Sequence, residues 1–325
     1  MNTTQNNGSN RNGIKIGVSS CLLGKKVRFD TGHKHDRYIT DMLGKFVTFV
    51  PVCPEIEVGM GVPREAVRLE GDPDNPRMVG NRSRKDWTSR MTAYAARRVR
   101  QKDLADLSGF ILKNRSPSCG MERVKVYTGP GAVERKGAGL FAGELLRRFP
   151  DLPVEEEGRL SDAALRENFI ERVFAYHRLQ TLYARPFARA AMIGFHTGHK
   201  LMLLAHSPEY YRRLGRLVAR IRRFKPGHFK DEYRALFMPA LRFKATVKKN
   251  TNVLQHIAGY LKHHLSDVEK RNVHDAITDY HRSLVPLTVP ITLLRHFVNK
   301  HSIEYLQNQY YLNPHPKELM LRNHV

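Results

Sequence analysis

Three strand-length apolar runs in the first half of the chain each lead into a cysteine or into a turn that carries one. IKIGVSS runs straight into Cys21 and FVTFVPV into Cys53, while LSGFIL is followed by KNRSPSCG, which holds Cys119. Runs of this length, bounded by turn residues, favour strands. Between the second and third lies DWTSRMTAYAARRVRQK, which opens with capping-type residues and continues with helix formers. Near Gly139, GLFAGELLRRFP starts another helix that stops at Pro150. Strands alternating with helices predict a parallel sheet covered on both faces, an α/β domain of Rossmann-like, three-layer type.

The acidic, proline-bearing piece PDLPVEEEGRLSD changes the character of the chain. Beyond it, segments such as ALRENFIERVFAYHRL and NVLQHIAGYLKHHL have the period of amphipathic helices, and strands are few. The chain is therefore expected to hold a disordered lead-in (1–12), an α/β domain (13–156) and an all-α domain (157–325). The lead-in lacks the apolar centre of a signal peptide, and no apolar run approaches a membrane span. With only three cysteines and no pairing pattern, a cytoplasmic protein without disulfides is expected.

In an open parallel sheet, residues just past the carboxyl ends of strands gather in one crevice, where ligands bind. Cys21, Cys53 and Cys119 are expected to meet there. Thiolates select soft metals: zinc, cuprous copper or iron–sulfur clusters. A closed structural zinc site usually carries C-x-x-C pairs, and the chain has none. An ordinary cubane cluster takes four cysteines; one held by three leaves an iron open, which is a catalytic arrangement. The bland alternative is that the three fill the core as small apolar residues. Three at strand ends, each beside turn chemistry, weigh against it.

Net charge is +24, and the second half is the more lopsided. Between Tyr211 and Lys249 there are 13 basic residues against two acidic ones, with aromatics interleaved. Such a tract favours RNA or DNA over a merely solvated face. Arg212, Arg216, Arg220 and Arg223, at spacings of three and four, can share one helical face. With Lys225 and Lys230 they form the candidate RNA-binding set. Phe229 or Tyr233 either stacks an unpaired base or lies in the core. Fourteen of the 16 histidines follow residue 161, including His196 and His199 at H-x-x-H spacing and the pair His263–His264. Surface or RNA-contacting roles are expected of them, and no second metal.

The motifs SSCLLGxxVRFD, VCPExxxGMxxPR and SPSCG, in that order, closely resemble the thiouracil desulfurase (TudS-like) family over roughly residues 13–156. RENFIERVFAY, NVLQHIAGYLK and YLNPHPKEL resemble the YbgA-type domain. The fused layout resembles desulfidases that remove sulfur from 4-thiouridine in tRNA. That resemblance implies a [4Fe-4S] cluster ligated by Cys21, Cys53 and Cys119, with one iron free to bind the substrate sulfur as a Lewis acid. It also implies catalytic roles for Glu55 and Ser116, and release of sulfur as hydrogen sulfide without net redox change. The plainer readings are a helix N-terminal acid and a turn-forming serine. Asp30 and His33 either reach the crevice or form a turn, and Arg64 either contacts phosphate or pairs with an acid.

The expected partner is tRNA carrying 4-thiouridine, with free thiouracil as a second candidate substrate and no obligate protein partner. Two other functions fit parts of the pattern. Sulfur insertion into tRNA would use the same open iron, but it normally needs adenylation, and the chain has no P-loop. A nucleic-acid-binding protein with structural or redox-sensing cysteines would need no cluster.

Overall fold

All three apolar runs are strands, and they lie side by side. The computed structural model describes residues 13–324, so the lead-in expected at residues 1–12 lies outside the described residues. Strands β1 (Lys15–Ser19) and β2 (Thr48–Val52) are followed by a one-turn helix, α1 (Pro54–Glu57), and the antiparallel pair β3 (Val67–Glu70) and β4 (Arg77–Gly80). Then come α2 (Thr88–Arg98), α3 (Lys102–Ala105), β5 (Gly109–Leu112), the pair β6 (Val124–Gly129) and β7 (Ala132–Gly137), α4 (Leu140–Arg148) and β8 (Val154–Glu156).

The first sheet has the order β2-β1-β5-β8, and every pairing in it is parallel. Ile16, Val18, Phe110 and Ile111 are buried, as a sheet covered on both faces requires. A Cβ at Gly17 would fall 2.3 Å from the ring of Phe110, so β1 and β5 close over a position only glycine can occupy. The chain order reverses about β1, with β2 on one side and β5 on the other. Loops after neighbouring strands thus part and leave a crevice at their carboxyl ends.

Two features depart from the sequence reading. A second sheet, in the order β4-β3-β6-β7, is built from two hairpins joined by a parallel pairing of β3 with β6. Its strands alternate: Leu69, Val124 and Val126 are buried, while Lys125 and Arg135 are exposed. Such charge-bearing strands lack the continuous apolar run that marked the first sheet. The second departure is β8, an edge strand inside the segment read as a change of character, whose residues Val154, Glu155 and Glu156 are all buried.

The chain divides into two compact units between Ser161 and Asp162. The second is helical: α5 (Ala163–Tyr183), α6 (Arg189–His206), α7 (Pro208–Ala219), α8 (Pro226–Arg242), α9 (Val247–Leu261), α10 (Asp267–His281), α11 (Thr288–Lys300) and α12 (Glu304–Gln307). Asp162, Ser207 and Thr246 cap α5, α7 and α9 through their side chains, and Ser266 and Glu269 form a capping box on α10. None of the described helices is long and apolar enough to cross a membrane.

Two expectations for this unit need correction, the basic tract and the histidines. The basic tract is not one helical face. Arg212 and Arg216 lie on α7, but α7 ends at Ala219, Arg220 caps it, and Arg223 closes a separate 3-10 turn. Lys225 is extended because Pro226 follows it. Lys230 is half-buried and donates to the carbonyl of Tyr183 at 3.0 Å. Of the two alternatives open for Phe229 and Tyr233, the core is realised: both are fully buried and stacked on one another at 5.9 Å, so neither is open to a base.

His196, His199 and His206 are buried rather than on the surface. His199 donates from Nδ1 to the carbonyl of Phe195 at 2.7 Å and accepts from Arg178 at 3.2 Å. His196 meets the hydroxyl of Tyr233 at 3.3 Å, and His206 lies 3.0 Å from Glu171.

Candidate functional site

Cys21 follows β1 in a short 3-10 turn, Cys53 follows β2 as the N-cap of α1, and Cys119 lies in the loop after β5. All three line one cavity of about 340 Å³ at the carboxyl ends of these strands. All three are free thiols, Cys21 and Cys119 buried and Cys53 partly so.

The loop carrying Cys119 is held from several sides. The Ser116 hydroxyl accepts from the amides of Ser118 and Cys119 at 3.3 and 3.2 Å, and Gly120 closes the turn onto the Ser116 carbonyl at 2.8 Å. The first amides of α4 then hold the loop from behind: Leu140 donates to Pro117, and Phe141 and Ala142 to Ser118, each at 3.1 Å. These are the orphan donors of a helix N-terminus. The approach is so close that a Cβ at Gly139 would lie 2.5 Å from the Ser118 carbonyl group.

At the start of the loop, the Lys113 amide donates to Ser19 Oγ at 2.9 Å and the Asn114 amide to Glu157 at 2.7 Å. The Lys113 ammonium pairs with Glu157. Segments from β1, β5 and the end of β8 are thereby tied together at the cavity.

Glu55, in the first turn of α1, is held at both oxygens. Oε1 accepts from the Ser118 hydroxyl at 2.7 Å, and Oε2 from Arg64 Nε and Nη2 at 3.0 and 2.5 Å. Arg64 also reaches the carbonyls of Gly61 and Val27. Its side chain is 7 % exposed and that of Glu55 14 %, so the pair is largely out of water. Ser116 stands one step further, 3.0 Å from the Ser118 hydroxyl.

Of the open alternatives, Arg64 pairs with an acid, and that acid is Glu55. Asp30 is exposed and bonded to Arg28 and to the Gly32 amide, and His33 accepts from the His35 amide, so both are turn residues. Sequence reasoning missed Ser118 and the locking role of Lys113 and Glu157. SPSC offers two serines, and only the fold shows that the second meets Glu55.

Burial pushes the Cys21 thiol up to about 11, with the neighbouring Cys53 charge adding to the effect, and raises Cys53 and Cys119 as well. Thiols that are costly to ionise in a dry cavity become thiolates when a cation sits among them. Among the described residues no three His, Cys, Asp or Glu side chains are grouped as a single metal ion requires. Three free soft donors around one cavity fit a body wider than one ion.

Comparison with known proteins agrees with the motifs. Residues 16–157 match the family model described as 2-thiouracil desulfurase. Residues 200–316 match one described as a protein of unknown function, DUF1722. YbgA of Escherichia coli K12, itself described as uncharacterized, is 31% identical over 153 residues, which make up 47% of this chain and 90% of YbgA. The chain belongs to the YbgA family. Its YbgA-type domain is fused to a TudS-like domain that carries the cysteine cavity. A solved structure of the [4Fe-4S]-dependent thiouracil desulfidase TudS is 29% identical, covering 47% of this chain and 97% of TudS, with a TM-score of 0.38. The family that residues 16–157 match is one of thiouracil desulfurases, enzymes that cleave a carbon–sulfur bond.

Proposed function

We propose that this protein is a [4Fe-4S]-dependent desulfidase that converts 4-thiouridine in tRNA to uridine and releases hydrogen sulfide. The observation that carries the reading is the convergence of Cys21, Cys53 and Cys119 on one cavity beside the Glu55–Ser118 bond. The three cysteines would hold the cluster. When bound, it supplies a soft Lewis-acidic iron suited to a thiocarbonyl sulfur.

The chain's own residues supply positioning and proton movement. Arg64 fixes Glu55 and compensates its charge, so that Oε1 points toward Ser118 and the cavity. Water adds at C4 of the thiobase, Glu55 takes its proton, and the C–S bond breaks as the carbonyl forms. Protons return to the departing sulfide, giving hydrogen sulfide with no change in overall oxidation state. A positioned carboxylate contributes about 10²–10⁴-fold to such transfers. Ser116 and Ser118 form the hydroxyl relay on which the proton is handed on, with Ser118 in direct contact with the base.

In the YbgA-type domain Arg212, Arg216, Arg220, Arg223 and Lys225 are all exposed, and they supply sequence-independent contacts to tRNA phosphates. The test is anaerobic incubation of the reconstituted full chain with bulk tRNA, followed by nucleoside analysis. Loss of 4-thiouridine with matching gain of uridine and sulfide is expected. An iron-loaded protein that leaves 4-thiouridine intact would refute the substrate.

A further inference from the structure

Lys125 on β6 and Arg135 on β7 stand directly opposite one another, a like-charge pairing that weakens a hairpin. Neither has an anionic partner among the described residues, and nor do Arg115 and Arg123. All four line one groove of about 340 Å³, together with Arg68 and Tyr127, and no carboxylate lines it. Arg68 is the one groove cation that is neutralised, bonded to Glu70 and set 4.8 Å over the Tyr127 ring.

Arg115 and Arg123 are held at φ 56° and 55°, left-handed backbone that arginine rarely adopts. Strain of this kind gathers at binding sites. The groove is contiguous with the cysteine cavity, since Val67, Arg115 and Pro117 line both.

We propose that this groove binds phosphates of the RNA strand that carries the thiobase, so that the TudS-like domain supplies its own backbone contacts beside the cavity. The inference rests on the reading of the substrate as thiouridine in RNA. A free thiobase brings no anion to the groove. A nucleotide whose base enters the cavity keeps its phosphates outside, beside four cations bonded to no carboxylate among the described residues, with Glu122 and Glu156 lining the adjoining pocket. A polyanion in the groove would relieve their mutual repulsion, and neutralisation of each phosphate would release counterions.

The test uses the cluster-loaded full chain with Lys125→Gln and Arg135→Gln together; neither residue lines the cysteine cavity. Binding of tRNA should weaken about tenfold, and the slope of log affinity against log salt should become shallower by about 1.4–1.8. The specificity constant for 4-thiouridine in tRNA should fall in parallel, while turnover of free 4-thiouracil stays within about twofold of wild type. Arg135→Thr alone, an exposed strand position, should give about half the change in slope and serves if the double variant does not fold.

Unchanged affinity and slope in a variant that turns over free 4-thiouracil overturns the inference alone. A wild-type protein that desulfurates free 4-thiouracil but not tRNA overturns the substrate reading, and the inference with it.

Discussion

Ser118 donates its hydroxyl to Oε1 of Glu55 at 2.7 Å, joining the turn that carries Cys119 to the helix that follows Cys53. The contact places a carboxylate between two of the three thiol-bearing loops. Glu55→Gln keeps an acceptor for Ser118 but removes the base. Thiobase turnover should fall about 10²–10⁴-fold with iron content unchanged. Equal loss of iron and turnover would make Glu55 a structural residue.

Arg64 has a separable role. Arg64→Met leaves Glu55 without its partner in a nearly dry site and removes two bonds to backbone carbonyls. Breaking a buried pair from one side typically costs about 3–5 kcal/mol. Denaturant titration of the iron-free protein should show a loss of that order in the unfolding of the unit that holds Arg64, and Arg64→Lys should recover part of it.

Cys21→Ala, Cys53→Ala and Cys119→Ala should each abolish iron binding and the visible absorbance of the protein. Affinity for tRNA should stay within about twofold, because the phosphate contacts lie on other side chains. A large loss of RNA binding in all three would count against the division of roles.

Gly139→Ala tests how the loop is held. The added methyl would lie 2.5 Å from the Ser118 carbonyl group and 2.8 Å from the Cys119 nitrogen, backbone that cannot swing aside as a side-chain tip can. Iron content should drop sharply while the circular dichroism of the rest of the protein is retained. Normal iron loading would show that the loop tolerates displacement.

The pH dependence of the YbgA-type domain should trace to Glu167. Glu167 and Glu171 share the guanidinium of Arg322, with His206 and His324 also facing them. Burial and the charge of Glu171 hold the Glu167 carboxyl well above the usual range. Against burial, Arg322 and His206 hold Glu171 below it. A folded pKa above the unfolded one gives stability that is full below the unfolded value and is lost as pH rises through the folded one. Between pH 5 and 8 the wild-type domain should therefore lose at least about 3 °C of Tm relative to Glu167→Gln. A parallel pair of profiles would contradict this assignment.

The parts of the site that were legible were those written in local chemistry. Strand-length apolar runs ended at Cys21 and Cys53 or were followed by the turn that holds Cys119, and parallel-sheet geometry brings such ends together. What escaped was long-range or masked. Arg64 is nine residues from Glu55 and Ser118 is 63, and no periodicity links them. The second sheet hid behind strands whose apolar residues alternate with charged ones instead of forming a continuous run. The end of α7 was foreshadowed by Pro226, but arginines at helical spacing masked it. The buried histidines could not have been told from surface ones, because a neutral imidazole, one nitrogen a donor and the other an acceptor, suits either place.

The lock between Lys113, Ser19 and Glu157 bears on biogenesis. Its bonds join β1, the loop after β5 and the end of β8, so they shape the cysteine cavity from the polypeptide's own groups. If the cavity holds the proposed cluster, a receptacle shaped this way can accept it after folding rather than during it.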